Sequence, residues 1–310
     1  MASGNPTSAI PPEPTPTEPD ASWEHFELWK AVKRAIFTLP SRFESELVIS
    51  GVLATDLHAF NTSLGATIEE QVVDALNKLR TLWDPDQKYS LYEFERQPQT
   101  FPDVVLRASD PSVVPQVLMG IEMKGWYVLA KEKEPSFRFQ VTPAACAEAD
   151  LIVVVPWALS KVISGSPEVF MPFVMGARQA AEFRNWHWQY KKVSTTDTSI
   201  TLSSVTTHYP SKSDPISDVP ASDGGGNFGR LARSGVMDSF IAERFDDKLS
   251  GIPMWAWQAF LALFKENKDP DFVPKGLEAL AKTVMKDPSA QKRAKIDAKL
   301  KELGELLSED

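Results

Sequence analysis

The chain has 310 residues, a formal net charge of -9 at pH 7 and a single cysteine, Cys146. One cysteine excludes an intramolecular disulfide and a cysteine-cluster metal site, and no apolar run is long enough to span a bilayer. The length allows one sizeable core with an appendage or two modest domains. The acidity argues against a nucleic-acid partner unless the basic residues line one cleft.

The N-terminal part of the sequence predicts a tail followed by a helix. Residues 1–22 are expected to be disordered, because their first twenty positions contain six prolines and little apolar surface. From Trp23 to Phe37, large apolar residues recur at helical spacing and predict an amphipathic helix. Composition then divides the chain into a core over residues 23–193, a ribbon and Gly/Ser-rich loop over 194–232, and a helical region over 233–310.

The next predicted helix, between Thr67 and Arg80, carries an acid that faces the core. Its apolar stripe consists of Ile68, Val72, Val73, Leu76 and Leu79. Glu69 precedes Val72 by three residues and therefore lies on the same face. A carboxylate directed inward needs a cation or hydrogen bonds to offset its desolvation, so Glu69 is a candidate site residue. The alternative is a helix-terminal glutamate favoured by the helix dipole.

Two predicted strands bring two carboxylates and a lysine together. Pro102-Asp103 opens one strand, where proline is tolerated, and an apolar run follows it. The segment from Val117 to Lys124 alternates between two faces, so Glu122 and Lys124 share a face that Met123 does not. Magnesium-dependent phosphodiester cleavage needs such a cluster, in which acids hold the metal and a lysine faces the reacting water. The alternative is two surface carboxylates and a solvated lysine.

Further regular structure is predicted after this motif. Residues 137–141 alternate between apolar and polar side chains and predict a strand whose polar face continues the site, with Gln140 as a candidate DNA contact. Thr142-Pro143 predicts the start of a short helix. The apolar run over residues 151–155 predicts a central strand buried on both faces. This order of strand, helix and strand favours an α/β or α+β architecture.

Phe101-Pro102-Asp103 and Glu122-Met123-Lys124, with the acid-bearing helix before them, resemble the motif of the PD-(D/E)xK nuclease superfamily. Within it, the chain looks most like bacterial type II restriction endonucleases over roughly residues 45 to 195. The resemblance implies a mixed central sheet flanked by helices. It also implies that Asp103, Glu122 and the backbone carbonyl of Met123 bind Mg²⁺, for which Mn²⁺ can substitute. Lys124 would then be the catalytic lysine, and Glu69 a third acid that binds through water or a second ion.

A basic and aromatic segment is the first candidate for contacts with DNA. Residues 173–192 predict a helix in which the two residue types interleave, as on surfaces that bind nucleic acids. Its candidate contacts are Arg178, Arg184 and Lys191. The alternative is that the aromatic residues of this helix, Trp186 and Trp188 among them, belong to the core.

The long irregular segment after residue 193 holds the second candidate. A short ribbon is expected within residues 195–207, and a glycine-rich stretch covers residues 223–229. Glycines let a backbone approach a phosphate closely, so Arg230 and Arg233 are candidate DNA contacts. The alternative is a flexible linker. Helices for target recognition or dimerisation are then predicted over residues 236–249, 253–265, 275–285 and 289–307.

The combined prediction is a Mg²⁺-dependent DNA endonuclease, of the type II restriction kind, that serves antiphage defence in the bacterial cytoplasm. Cutting both strands of double-stranded DNA predicts a homodimer or a higher homo-oligomer. A cognate methyltransferase or another defence protein is the expected partner, and no membrane is expected. Two alternatives stay open: a noncatalytic nucleic-acid-binding or scaffolding subunit, and a nuclease that acts on RNA or branched DNA.

Overall fold

Helices and strands alternate along the protein in the computed structural model, which describes residues 10–51, 60–97, 100–263 and 272–284. The helices in these ranges are α1 (Phe26–Arg42), α2 (Phe60–Lys78), α3 (Arg80–Trp83), α4 (Ala177–Trp186), α5 (Asp238–Asp246), α6 (Met254–Leu261) and α7 (Phe272–Val284). The strands are β1 (Tyr92–Arg96), β2 (Val104–Ala108), β3 (Val117–Tyr127), β4 (Leu151–Leu159), β5 (Pro167–Val169), β6 (Phe173–Gly176), β7 (Ile200–Thr201), β8 (Val219–Pro220), β9 (Lys248–Leu249) and β10 (Ile252–Pro253).

A six-stranded mixed sheet forms the centre of the protein, in the order β1-β2-β3-β4-β5 with β6 also on β4. β2 pairs antiparallel with both β1 and β3, whereas β3 and β4 pair in parallel. β5 pairs with the carboxyl end of β4 and β6 with its amino end, both antiparallel. The predicted mixed α/β class is therefore confirmed.

The core lies between this sheet and the helices α1 and α2. Every residue of β4 is buried, as expected for the apolar run that predicts a central strand. Val32 and Ile36 of α1 recur at helical spacing and are fully buried, as are Val72 and Leu76 of α2. Burying these stripes against the sheet stabilises the helices, because tertiary packing supplies most of the stability of short amphipathic helices.

The strand predicted over residues 137–141 is wrong. Apolar side chains in this segment are buried, but its backbone bonds to distant loops instead of to a strand of the central sheet. The Phe139 N–H donates to Gly229 O at 2.9 Å, and the Thr142 N–H donates to Ile216 O at 2.8 Å. Alternating burial therefore arises here from an extended segment held between two loops.

The helix predicted over residues 173–192 begins four residues later than expected. Residues Phe173–Gly176 form β6, because they pair with the amino end of β4. Helix α4 then runs over Ala177–Trp186 and continues as a π-helical turn, His187–Lys191. A short edge strand and the first turn of a helix have similar apolar patterns, so periodicity does not separate them.

The proline-rich segment contacts the folded body, contrary to the predicted disorder, where it is described from residue 10 to residue 22. It has no regular helix or strand, yet Pro19 is buried. The indole of Trp186 donates its N–H to the Pro11 carbonyl at 2.8 Å. Because Trp186 binds a backbone carbonyl and not a side chain, the composition of this segment could not predict the contact. Residues 1–9 of the predicted tail lie outside the described ranges.

The C-terminal region is mainly helical in its described part. Helix α5 ends earlier than its apolar pattern suggests, because Lys248–Leu249 pairs with Ile252–Pro253 in a small hairpin. Helices α6 and α7 lie where the second and third C-terminal helices are predicted. The predicted helix 289–307 falls outside the described residues. In the part of the chain that the structure describes, no helix combines the length and apolar character needed to cross a membrane.

Candidate active site

The site lies where β3 extends beyond β2. The last paired residues of this ladder are Val104 and Ile121, whereas the pairing of β3 with β4 continues as far as Tyr127. On the side away from β4, no described strand covers β3 from Glu122 onward. Backbone N–H groups on this open edge need other partners.

Two acids from different elements supply those partners. The Met123 N–H donates to Asp103 Oδ2 at 3.2 Å, and the Gly125 N–H donates to Glu69 Oε1 at 3.0 Å. Glycine at position 125 lets α2 come close, because a Cβ atom there would lie 3.3 Å from the Gly65 carbonyl oxygen. The carboxylates of Asp103 and Glu69 therefore accept hydrogen bonds from backbone N–H groups two residues apart on the open edge of β3.

Glu122 faces Asp103 across the end of the β2–β3 ladder, one step beyond the Val104–Ile121 pair. Its Oε2 atom is buried and has no hydrogen-bond partner among the described residues. Burial, and then the neighbouring Asp103 charge, raises the pKa of Glu122 well above its ordinary value. Burial also raises the pKa of Asp103 to about 6, although the Met123 N–H opposes the shift. Two carboxylates whose charged forms are disfavoured by burial thus meet at this point, although a hydrogen bond from the Asp103 backbone and the Lys124 charge lower the pKa of Glu122 in part.

Two cations lie beside the acids, and Glu69 bridges them. Lys124 Nζ is 3.7 Å from Glu69 Oε1, and Arg96 Nη2 is 3.5 Å from Glu69 Oε2. The charges of Lys124 and Arg96 both lower the pKa of Asp103 against the effect of its burial. Arg96 was not identified from the sequence. Its position depends on the register of β1, which pairs Arg96 with Val104, the residue after Asp103.

Helix α2 places Glu69 well inside a helix, so the alternative of a helix-terminal glutamate is wrong. The helix begins at Phe60, seven residues earlier than the pattern predicts, which removes Glu69 from the positive end of the dipole. The carboxylate is directed into the site, as its place on the apolar stripe predicts. There it forms ion pairs with Lys124 and Arg96 and accepts a hydrogen bond from the Gly125 N–H.

The oxygen atoms at this edge suit a small divalent cation. Within the described ranges, no group of three or more His, Cys, Asp or Glu side chains is arranged to hold a metal, and the Glu69 carboxylate pairs with Lys124 and Arg96. Asp103 and Glu122 remain, together with the Met123 carbonyl, which lies on the same side of β3 as its N–H. Mg²⁺ often takes only one or two carboxylates and keeps several waters. The partnerless oxygen of Glu122 supports this fit.

The prediction that Arg184 contacts DNA is wrong. Its side chain is only 3% exposed, and Nη2 lies 2.5 Å from Asp218 Oδ2. Nη1 donates to the carbonyls of Phe139 and Val141, at 2.9 Å each. Burial lowers the pKa of Arg184 to about 10 despite the Asp218 charge. This guanidinium holds the extended segment in place and is unavailable to a nucleic acid.

Arg178 is also engaged within the protein. Its Nε and Nη2 atoms donate to the Cys146 carbonyl at 3.2 and 3.1 Å, and Nη1 is 3.8 Å from Glu148 Oε1. Lys191 is exposed, with its ammonium 5.2 Å from the centre of the Trp186 ring. Trp186 itself is buried, which confirms the alternative that it belongs to the core.

The remaining DNA-contact candidates form their described hydrogen bonds and ion pairs with residues outside the cluster at the sheet edge. Gln140 is half-buried, and its carbonyl accepts the Asp218 N–H at 2.8 Å. Arg233 pairs with Glu134 at 2.5 Å. Arg230 and Arg233 both line a separate pocket. The structure thus brings Glu69, Asp103, Glu122 and Lys124 together, and it groups the two later arginines elsewhere.

Comparisons of the chain with protein-family models, curated proteins and solved structures found no match. The likeness to PD-(D/E)xK nucleases therefore rests on the motif residues alone. In the structure, Asp103 and Glu122 lie opposite each other, and Lys124 lies two residues further along the same strand.

Proposed function

We propose that the protein is a Mg²⁺-dependent DNA endonuclease with a restriction-endonuclease-like fold, which hydrolyses phosphodiester bonds at the open edge of β3. The observation that carries this proposal is the facing pair Asp103 and Glu122, both with raised pKa values, beside Lys124. Holding two acids together in a partly buried place costs stability unless a cation joins them. Lys124 and Arg96 offset only part of this cost, because the pKa values of both acids stay raised, and a divalent metal would offset more of it.

Asp103, Glu122 and the Met123 carbonyl would hold the ion. Bound there, Mg²⁺ would polarise a phosphoryl oxygen and make a nearby water more acidic. The Met123 N–H fixes the Asp103 carboxylate through the 3.2 Å hydrogen bond. Because this donor belongs to a strand of the central sheet, the carboxylate is oriented before any ligand arrives.

Lys124 would offset the negative charge that develops on the phosphoryl group in the transition state. Its side chain is 30% exposed and so can reach a substrate, while Glu69 Oε1 lies 3.7 Å from its ammonium. Glu69 in turn accepts a hydrogen bond from the Gly125 N–H and forms an ion pair with Arg96. Glu69 and Arg96 are therefore positioning residues for the lysine, and the proposed catalytic residues are Asp103, Glu122 and Lys124.

The biological setting proposed for this activity is type II restriction in bacterial antiphage defence. Cleavage of both strands of a DNA site needs two such clusters, so the proposed active form is a homodimer or a higher homo-oligomer. A noncatalytic scaffold would have no use for two acids whose pKa values are raised by burial and mutual repulsion. Such a cluster costs stability and therefore favours the catalytic alternative.

The test is to incubate the purified protein with supercoiled plasmid DNA, with branched DNA and with linear RNA, each with Mg²⁺ or with EDTA. The proposal predicts discrete DNA products in Mg²⁺ and none in EDTA. Loss of RNA alone would assign the cluster to an RNA nuclease. Absence of cleavage of every substrate, including branched DNA, would refute the catalytic proposal in favour of the scaffold.

A further inference from the structure

A pocket of about 270 Å³ lies between the π-helical turn after α4 and the glycine-rich loop. Its wall includes His187, Trp188, Lys192, Arg230 and Arg233, and no aspartate or glutamate of the described residues lines it. We propose that this pocket binds a phosphate group of a nucleic-acid strand.

The pocket wall carries two cations that form no ion pair with the described residues. Arg233 is paired with Glu134 at 2.5 Å. In contrast, Arg230 and Lys192 form no ion pair within the described part of the chain. Burial, and then the Lys192 charge, lowers the pKa of His187, as expected beside an unpaired cation. Lys192 lies on the Trp188 ring and is attracted by the Asp223 charge. The two cations, neither of which is in an ion pair, suit a phosphate, which arginine and lysine bind most readily.

Two N–H donors in the pocket wall are buried without a hydrogen-bond partner among the described residues: Arg230 Nε and Trp188 Nε1. Leaving a buried donor unpaired costs about 1–3 kcal/mol, and such groups are rare in native proteins. Both atoms can only donate. The missing partner is therefore an acceptor, and a phosphate has several acceptor oxygens.

The walls favour a phosphate over a nucleobase. The Trp188 side chain is 4% exposed, and Phe228 packs edge-on against it at 5.1 Å between ring centres. Lys192 Nζ covers the indole at 3.2 Å from its centre. No open face of Trp188 is left on which a base could stack, and stacking is the usual way in which proteins hold unpaired bases.

One residue links this pocket to the candidate active site. The Phe139 N–H donates to Gly229 O, next to Arg230, at 2.9 Å. The Phe139 ring packs on Phe101, two residues before Asp103, with 5.9 Å between ring centres. Phe139 therefore joins the loop that carries the pocket to the segment that carries Asp103. Assigning the phosphate to a nucleic acid rests on the proposed nuclease function, whereas the anion site itself does not.

Binding to the full chain in EDTA tests the pocket without cleavage. One probe is inorganic phosphate, followed through the Trp188 indole N–H signal in NMR spectra. The other is a short DNA duplex without terminal phosphates, followed by fluorescence anisotropy over a range of salt concentrations. Arg230→Gln and Lys192→Gln remove the unpaired charges, and Lys161→Gln, at an exposed lysine outside the pocket, is the matched control.

Phosphate is expected to shift the Trp188 signal, and each pocket variant is expected to weaken duplex binding roughly tenfold by removing a charge-assisted contact. The dependence of log affinity on log salt should also fall by about 0.9 per lost phosphate contact. The control should change neither quantity. Circular dichroism spectra would show that the variants remain folded, and the wild-type phosphate titration needs no variant at all.

Two results would overturn the proposal. An unmoved Trp188 signal at saturating phosphate means that the pocket binds no such anion. A shifted signal with unchanged duplex affinity and salt dependence in both variants means that it takes a free phosphate compound instead of a strand. Failure of the nuclease proposal is recognised separately, because absence of cleavage in Mg²⁺ leaves these binding measurements in EDTA unaffected.

Discussion

Asp103→Asn is expected to stabilise the metal-free protein at high pH. Burial raises the pKa of the Asp103 carboxyl from 3.8 to about 6. The folded chain thus holds this proton more tightly than the unfolded chain. The resulting stability is complete below about pH 4 and is lost as the pH rises through about 6.

The size of the effect follows from the shift. Two pH units correspond to about 3 kcal/mol at about 1.36 kcal/mol per unit, and partial solvent exposure of Asp103 reduces the expected change to about 2 kcal/mol. Asparagine has nearly the same shape, keeps an oxygen that can accept the Met123 N–H, and carries no charge. The variant should therefore exceed the wild type in free energy of unfolding by about 2 kcal/mol more at about pH 8 than at about pH 4.

Urea unfolding in EDTA at about pH 4, 6 and 8 measures this difference. The matched control is Asp86→Asn, at an exposed aspartate in a turn. For this variant we expect no comparable gain in the free energy of unfolding, relative to the wild type, between about pH 4 and about pH 8. If Asp103→Asn is no more stable relative to the wild type at about pH 8 than at about pH 4, the buried carboxylate is not the source of strain that the proposal requires.

Of three further predictions, two concern the cluster and one concerns the buried Arg184–Asp218 ion pair. Lys124→Ala should lower the cleavage rate by about a hundredfold or more, because it removes the charge that faces the transition state, while Tm stays close to that of the wild type; wild-type cleavage would exclude this role. Mg²⁺ binding at about pH 6 should release protons from the Asp103–Glu122 pair, because burial raises the pKa of both carboxyls; calorimetry in buffers of different ionisation enthalpy should detect this release and find it smaller in Glu122→Gln, and equal release by both proteins would contradict the assignment. Arg184→Met should reduce the free energy of unfolding by about 3–5 kcal/mol, because it leaves the buried Asp218 carboxylate unpaired; a loss below about 1 kcal/mol in urea unfolding would show that the pair contributes little.

The strands that form the site could be predicted because their signal is local. Alternation fixes which side chains of β3 share a face, so the sequence correctly groups Glu122 with Lys124. The continuous apolar run identifies β4, and the helical stripe directs Glu69 inward. Each of these inferences uses residues close together in sequence.

Long-range pairing could not be predicted in the same way. Arg96 joins the cluster only because β1 pairs with β2 in a particular register. An arginine that binds carbonyls from residues more than 40 positions away, such as Arg184, has the same local sequence pattern as a surface arginine. The segment 137–141 alternates like a strand, yet its partners are loops from a distant part of the chain.

Binding of Mn²⁺, followed by the electron paramagnetic resonance signal of the free ion, tests the claim that Asp103 and Glu122 together hold one divalent cation. The wild type should take up about one ion per chain at this pair. Asp103→Asn and Glu122→Gln should each abolish that uptake, whereas Glu93→Gln, at an exposed glutamate of β1, should leave it unchanged. Equal uptake by the wild type and both site variants would contradict the account.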